Sequence, residues 1–359
     1  MGLHELEVRN FRLFDHLVLH PDPDAVTVFV SPNGTGKTSV LEAVYALATA
    51  SSFRTNAASD MIKNGEDLTE AHGVLFHRER RVGVDLTLTR GLRTTKKMLV
   101  NGQKPRSRAD LSEALPITIF TPEGVDVIRQ GPENRRTFLT TLLTDVDLTS
   151  GDVIERYARV LSQRNAVLRA LRGDRPNANQ RAELDVWNAD LARYGEDLVD
   201  VRREVLAALA PLVEDYYRQL SESDQRVELD YRPSWTGSLA VAIGASEEED
   251  RLRGHTSIGP HRDDVAISLE GRDTRHQASQ GEQRSLALAL RLAGDQLVRQ
   301  KRGVDPLLLL DDVFSELDPR RSDRLLELLP TGQTLVTTAS PLPSRLTPAA
   351  VIDLTTSRV

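Results

Sequence analysis

The chain has 359 residues, with 39% hydrophobic and 28% charged side chains, a balance that excludes an intrinsically disordered protein. It contains no cysteine, which excludes structural disulfides and thiolate metal sites and fits a reducing compartment. No apolar run reaches about 18 residues, and the N-terminal residues form neither a basic nor an apolar segment; we expect no signal peptide, no membrane span and a cytoplasmic location. With a net charge of −7, any contact with a polyanion has to come from a local basic surface.

In chain order, Leu6, Glu7, Val8 and then Leu17, Val18, Leu19 read as two short strands flanking Asn10, Phe11 and Arg12. Val26–Val30 is a continuous apolar, β-branched run of the kind buried inside a parallel sheet. A Gly-rich loop follows, and residues 37–49 read as an amphipathic helix with Val40, Leu41, Val44 and Leu47 on its apolar face. Residues 72–101 alternate in the manner of an antiparallel sheet, with Asn101 and Gly102 as a favoured tight turn. Residues 117–120 predict another buried strand. From about 133 to 220 the apolar period becomes helical, broken by a polar stretch at 172–180. Strands return after about 227, with an apolar one at 307–310 and two more at 335–338 and 351–354. An α/β domain assembled from both ends of the chain, with a helical insertion between them, accounts for this order.

Three segments carry chemistry. Ser31, Pro32, Asn33, Gly34, Thr35, Gly36, Lys37, Thr38 and Ser39 join a buried strand to a helix, the context of a phosphate-binding P-loop. Backbone N–H groups at a helix N-terminus attract phosphate; Lys37 adds a point charge, and the Thr38 hydroxyl is a Mg²⁺ ligand. Only six of 46 cationic residues are lysines, which makes Lys37 directly after a glycine harder to ascribe to chance. Ser31 stands where the full pattern has its first glycine, so a distorted or weaker site is expected. Second, the apolar strand at 307–310 runs into Asp311 and Asp312, hard oxygen ligands placed to hold Mg²⁺ and to polarise water. Third, Ser279, Gln280, Gly281, Glu282, Gln283 and Arg284 open an Ala- and Leu-rich helix 32 residues before Asp311.

That third segment, in that position, resembles the signature of ABC-type ATPases, and residues 311–318 extend the match. With it, the chain resembles the RecF family almost from end to end. The resemblance rests also on Asn10-Phe11-Arg12, Ser52-Phe53-Arg54-Thr55, Thr121-Pro122-Glu123, Gly131-Pro132 with Arg135-Arg136, Gln163-Arg164-Asn165 and Gly259-Pro260-His261-Arg262-Asp263-Asp264. Glu282 departs from the glutamine often found there, and Thr337-Thr338-Ala339 lacks the histidine with which ABC transporters sense γ-phosphate.

The resemblance implies an α/β fold: an ABC-type P-loop ATPase head, mixed sheet with helices plus an antiparallel sheet, with an inserted helical domain and no long coiled coil. The head would comprise 1–125 and 227–359, and the insertion 126–226. ATP and Mg²⁺ would be held by residues 31–39 with Arg12 near the phosphates or base, and the metal by Thr38 and Asp311. Lys37, Asp311 and Asp312 would act in catalysis, and Ser279 and Gly281 would complete the site of a second copy, making an ATP-dependent homodimer. The family function would be recombinational repair and gap maintenance during DNA replication, including the SOS response, through slow, DNA-stimulated ATP hydrolysis used as a switch that helps load recombinase. Partners would be DNA bound without sequence readout, RecR and RecO, and no membrane. Arg156, Arg159, Arg164, Arg169, Arg172, Arg202 and Arg203 are the candidate DNA contacts. The competing readings are a Rad50- or SMC-like head, against which the short helical segments argue, and a transporter's nucleotide-binding subunit.

Overall fold

The computed structural model describes residues 2–32, 34–77, 80–171, 174–330, 332–339 and 342–355. Asn33 and Arg172 lie outside the described residues. The chain divides into two compact units: Met1–Gly124, Tyr216–Glu222 and Leu288–Val359 in one, Val125–Asp215 and Ser223–Ala287 in the other.

The first unit holds two sheets. One is antiparallel, in the order Phe14–Leu19, Gly2–Phe11, Leu68–His77, Arg80–Thr89 and Thr95–Val100. Its first two strands are longer than their apolar triplets suggest. Residues 2–9 pair along Leu68–His77, and this pairing extends the strand through Glu5, Glu7 and Arg9 on the other face. Along Arg80–Thr89, Val84, Leu86 and Leu88 turn inward, as their alternation requires. Asn101 and Gly102, both with positive φ, close a single bridge between Val100 and Gln103.

The second sheet is wholly parallel, in the order Ala350–Asp353, Val26–Val30, Thr334–Thr338, Leu307–Asp311 and Ile117–Phe120. Two of its three interior strands, Thr334–Thr338 and Leu307–Asp311, are buried at every residue, which explains a composition of apolar residues and threonine up to Asp311. Helix Lys37–Thr49 contributes Val40, Leu41, Val44 and Leu47 to one core with Leu3, Leu6, Leu75 and Leu86 of the antiparallel sheet and Phe29, Leu309 and Leu335 of the parallel one. It is therefore buried on nearly every side, not amphipathic as its spacing suggests. The alanines and serine between the large residues are buried as well, and so is Glu42.

The second unit is mainly helical, with Pro132–Val146, Ser150–Leu171 and Leu239–Arg253, most of helix Ala178–Ser221, and the antiparallel strands Val227–Arg232, Asp264–Leu269 and Arg272–Asp273. The two long helices have 22 and 44 residues, and among the described residues no long coiled coil is formed. Two segments that carried the family resemblance are partners here. Arg135 makes a two-pronged bond to the Asp264 carboxylate (2.7 and 3.0 Å), and Arg136 donates to the Asp263 carbonyl at 2.6 Å. The imidazole of His261 donates from Nε2 to the Thr256 carbonyl and accepts from the Tyr157 hydroxyl at Nδ1. Burial pushes its pKa down to about 4, so the ring stays neutral in this role.

Two candidate DNA contacts fail on burial. Arg164 is wholly buried and bonds Asp250, Thr256 and Asn188. Arg202, 5% exposed, donates to the Pro260 carbonyl and the Tyr231 hydroxyl. Both hold the unit together. Among the described residues no helix is long and apolar enough to cross a membrane. Because removing Arg164 strands the buried Asp250 charge, Arg164→Ala should cost about 3–5 kcal/mol. Urea unfolding followed by far-UV circular dichroism checks this, and a loss below about 1 kcal/mol would contradict it.

Candidate nucleotide-binding site

The site lies at the C-terminal edge of the parallel sheet, where α/β folds of this kind hold ligands. Parallel pairing sets Val30 beside Thr338 and Asp311 beside Thr337, so the P-loop and the acidic strand end leave the sheet side by side. A cleft of about 580 Å³ opens there, lined among others by Arg12, Gly34, Gly36, Lys37, Thr38 and Ser39 on one side and Asp311, Asp312 and Thr337 on the other.

The loop is shaped by its glycines and by hydroxyl bonds. Gly36 has φ +106°, and a Cβ there would come within 2.6 Å of Phe14 Cζ; both its backbone and its lack of a side chain are needed. Ser31 has no positive φ, so glycine is not conformationally required at that position. Its hydroxyl instead bonds that of Thr35, which also donates to the Pro32 carbonyl at 2.7 Å. The Lys37 ammonium, 8% exposed, donates to the carbonyls of Ser31 (2.7 Å) and Pro32 (3.1 Å), folding the side chain back along its own loop.

Across the cleft, Asp311 Oδ1 accepts from Thr38 Oγ1 at 3.0 Å and from Thr337 Oγ1 at 2.6 Å. Burial raises the Asp311 pKa, aided by the charges of Glu123 and Asp312 and opposed by the hydrogen bonds from Thr337 and Thr38. Asp312 adopts the left-handed conformation (φ 49°), held by its N–H to the Thr337 carbonyl at 3.1 Å. Its Oδ1 is buried with no hydrogen-bond partner. These features fit a nucleotide with Mg²⁺. A hydroxyl and a carboxylate of hard oxygens already meet, and an orphaned buried carboxylate oxygen lacks a donor. Among the described residues no group of three or more His, Asp or Glu side chains is placed to hold a metal ion.

Arg12 lines this cleft, but its guanidinium is held by Glu42. Ser279 and Gly281 belong to the other unit, at the start of helix Gln280–Arg302. Ser279 Oγ accepts from the Glu282 N–H at 3.3 Å and Glu282 returns the bond to the Ser279 N–H at 2.7 Å, a reciprocal capping box. Those bonds lower the Glu282 pKa, so the acid is accommodated there as an ionised cap. Neighbouring Gln283 is buried, donating to the Thr274 carbonyl and accepting from Arg129 Nε.

Sequence reasoning missed the roles of two cleft residues, Thr337 and Arg54, and of Glu42, the buried acid that bonds Arg54. Thr337 was noted only for not being histidine, Arg54 only as part of a string, and Glu42 not at all. The available signal for Glu42 was an acidic residue in the middle of an otherwise apolar helix face, between Leu41 and Ala43.

The comparisons with known proteins follow this geometry. A family model described as the RecF/RecN/SMC N terminal domain matches residues 2–341. The protein named DNA replication and repair protein RecF from Acidothermus cellulolyticus is 35% identical over 353 residues, covering 95% of this chain and 94% of its own. The chain belongs to the RecF family. The RecF of Geobacter sulfurreducens is 37% identical over 339 residues, covering 92% of this chain and 90% of its own. A solved structure of the recombination mediator protein RecF with ATP, described within the RecFOR pathway, superposes with a TM-score of 0.87 at 27% identity, covering 98% of this chain and 94% of that one. An SMC head bound to the C-winged helix domain of ScpA shares the fold at a TM-score of 0.54 and 15% identity, covering 95% of this chain and 90% of that one. The ABC-type head is thus the fold, and RecF is the nearer architecture within it.

Gly36→Ala should weaken ATP binding by at least about tenfold, or ~1.4 kcal/mol. Gly34→Ala, whose added methyl meets nothing within 4 Å, should cost only the left-handed backbone penalty of about 1–2 kcal/mol in stability. Calorimetric ATP titration and thermal melting of the two variants check this pair, and equal ATP affinities would contradict it.

Proposed function

We propose that this protein is an ATP-driven DNA-binding switch of replication and recombinational repair. In this reading it hydrolyses ATP slowly, pairs with a second copy when ATP is bound, and holds DNA without reading its sequence. The observation that carries the reading is the meeting of Thr38, Asp311 and Thr337 beside a P-loop, in a chain of RecF architecture.

Each residue then has a task. The backbone N–H groups from Gly34 to Thr38 face the phosphates, and Lys37 exchanges its bonds to its own loop carbonyls for phosphate oxygens. Thr38 Oγ1 and Asp311 would hold Mg²⁺, which when bound would supply charge neutralisation on the phosphates. Asp312 accepts a proton or hydrogen bond from water at its unpartnered Oδ1. Ser279 and Gly281, with the N-terminus of their capped helix, complete the cleft of the second copy. Such an isologous arrangement buries two nucleotides and makes pairing depend on them.

Of the seven arginines read as DNA contacts, Arg156, Arg159 and Arg169 are exposed on helix Ser150–Leu171 and remain candidates. Arg203 is exposed too, with its guanidinium 5.8 Å from the Tyr231 ring centroid. Aromatic residues are 4% of the chain, which supports backbone contacts over base stacking. RecO and RecR are the protein partners this reading expects.

With ATP and Mg²⁺, light scattering should show the parent doubling its mass and retaining gapped duplex DNA, while ADP should support neither. Lys37→Arg and Ser279→Arg should each raise the dimer dissociation constant by at least about tenfold. If both variants pair with ATP as the parent does, the shared site is wrong.

A further inference from the structure

Glu42 is the one acidic side chain in the core of helix Lys37–Thr49, and it is 0% exposed. An isolated carboxylate at that depth is costly, so its partners decide what it is for. Arg12 donates Nε to Oε2 at 2.8 Å and Nη2 to Oε1, a side-on fork. Ser52 Oγ donates to Oε1, and Arg54 Nη1 reaches Oε2 at 3.3 Å. One carboxylate therefore serves two guanidiniums, and both arginines line the cleft that holds the P-loop. Asp60, another acid lining this cleft, accepts from the Thr55 hydroxyl at 2.6 Å.

The two arginines are held very differently. Arg12 makes two bonds and its side chain is 18% exposed; Arg54 makes one long bond and its side chain is 42% exposed. The backbone carrying Arg54 is nevertheless fixed. Ser52 Oγ accepts from the N–H groups of Arg54 (2.9 Å) and Thr55 (3.2 Å), and Phe53 packs edge-on against Tyr45 of the same helix as Glu42. Lys96 Nζ secures the start of the loop at the Ala50 carbonyl. A loop held in place thus presents a guanidinium whose own contact is weak, beside a carboxylate that already accepts from Arg12 and Ser52.

We propose that Glu42 is a positioning residue for the nucleotide. It fixes Arg12, and it holds Arg54 by a contact that an anionic oxygen of a nucleoside polyphosphate displaces. The proposal rests on the cleft being the nucleotide site. It separates two effects of opposite sign: a Glu42→Gln side chain makes the rim more positive, which alone favours an anion, but it releases both guanidiniums from their aim.

The test is calorimetric titration of the full chain with Mg-ATP. The proteins are the parent, Glu42→Gln, Arg54→Ala, the double variant, and Lys37→Ala as the nucleotide-site control. Each single variant at 42 or 54 should weaken ATP binding on the order of tenfold, and the double variant should be no weaker than the weaker single one. Tighter or unchanged binding by Glu42→Gln, or losses that multiply in the double variant, would overturn the proposal. A purely structural Glu42 gives the multiplying result. Should Glu42→Gln not fold, Arg54→Lys replaces it: the ammonium keeps the charge but not the fork, and parent-like affinity in both Arg54 variants would overturn the proposal. Absence of ATP binding by the parent, or binding undiminished by Lys37→Ala, would instead overturn the nucleotide reading and this proposal with it.

Discussion

The site depends on one constraint: a parallel register that brings strands from opposite ends of the chain to the same edge. Thr38 and Asp311 are 273 positions apart, yet a hydrogen bond joins them. It does so because Val26–Val30 and Leu307–Asp311 both pair in parallel with Thr334–Thr338 and end level with it. The strand between them contributes Thr337, which donates to Asp311 through its hydroxyl and accepts from the Asp312 N–H through its carbonyl. A threonine there satisfies two neighbours at once.

Strain gathers around this edge. Asn10, Arg12 and Asp312 all adopt positive φ without being glycine, and two of them, Arg12 and Asp312, line the cleft. Each costs about 1–2 kcal/mol relative to an unstrained residue, and tertiary bonds hold them in place. The Arg12 N–H donates to the Met61 carbonyl at 2.9 Å while its guanidinium is gripped by Glu42, and the Asp312 N–H is held by Thr337. Residues kept in unfavourable conformations by their surroundings are characteristic of sites that must be pre-organised before a ligand arrives. The lysine bonds carbonyls of its own loop.

Much of this was legible in the sequence, for a definable reason. Buried parallel strands have few alternatives to unbroken apolar runs, so Val26–Val30 and Leu307–Asp311 announced themselves, and the residues that follow a strand's end announced the site. Interactions between a side chain and a distant partner were not legible. Arg164 stands four positions from both Val160 and Leu168 on the buried stripe of its helix, while Arg159 lies exposed, but nothing local names Asp250, 86 positions on, as its partner. Ser31 looked like a defect because a pattern demanded glycine, whereas its backbone needs none. Glu42 was overlooked because helical periodicity weighs apolar residues and treats a single acid among them as noise. In a helix buried on almost every side, that acid had to have partners.

The central claim is that Thr38 and Asp311 hold the metal that accompanies a nucleotide in this cleft. Its most direct test is the affinity of the protein for ATP with and without Mg²⁺, in the parent and in Asp311→Asn, which keeps the shape of the side chain. The account predicts that Mg²⁺ tightens binding to the parent, and that Asp311→Asn loses this gain while retaining metal-free affinity. An unchanged response to Mg²⁺ in Asp311→Asn would contradict it.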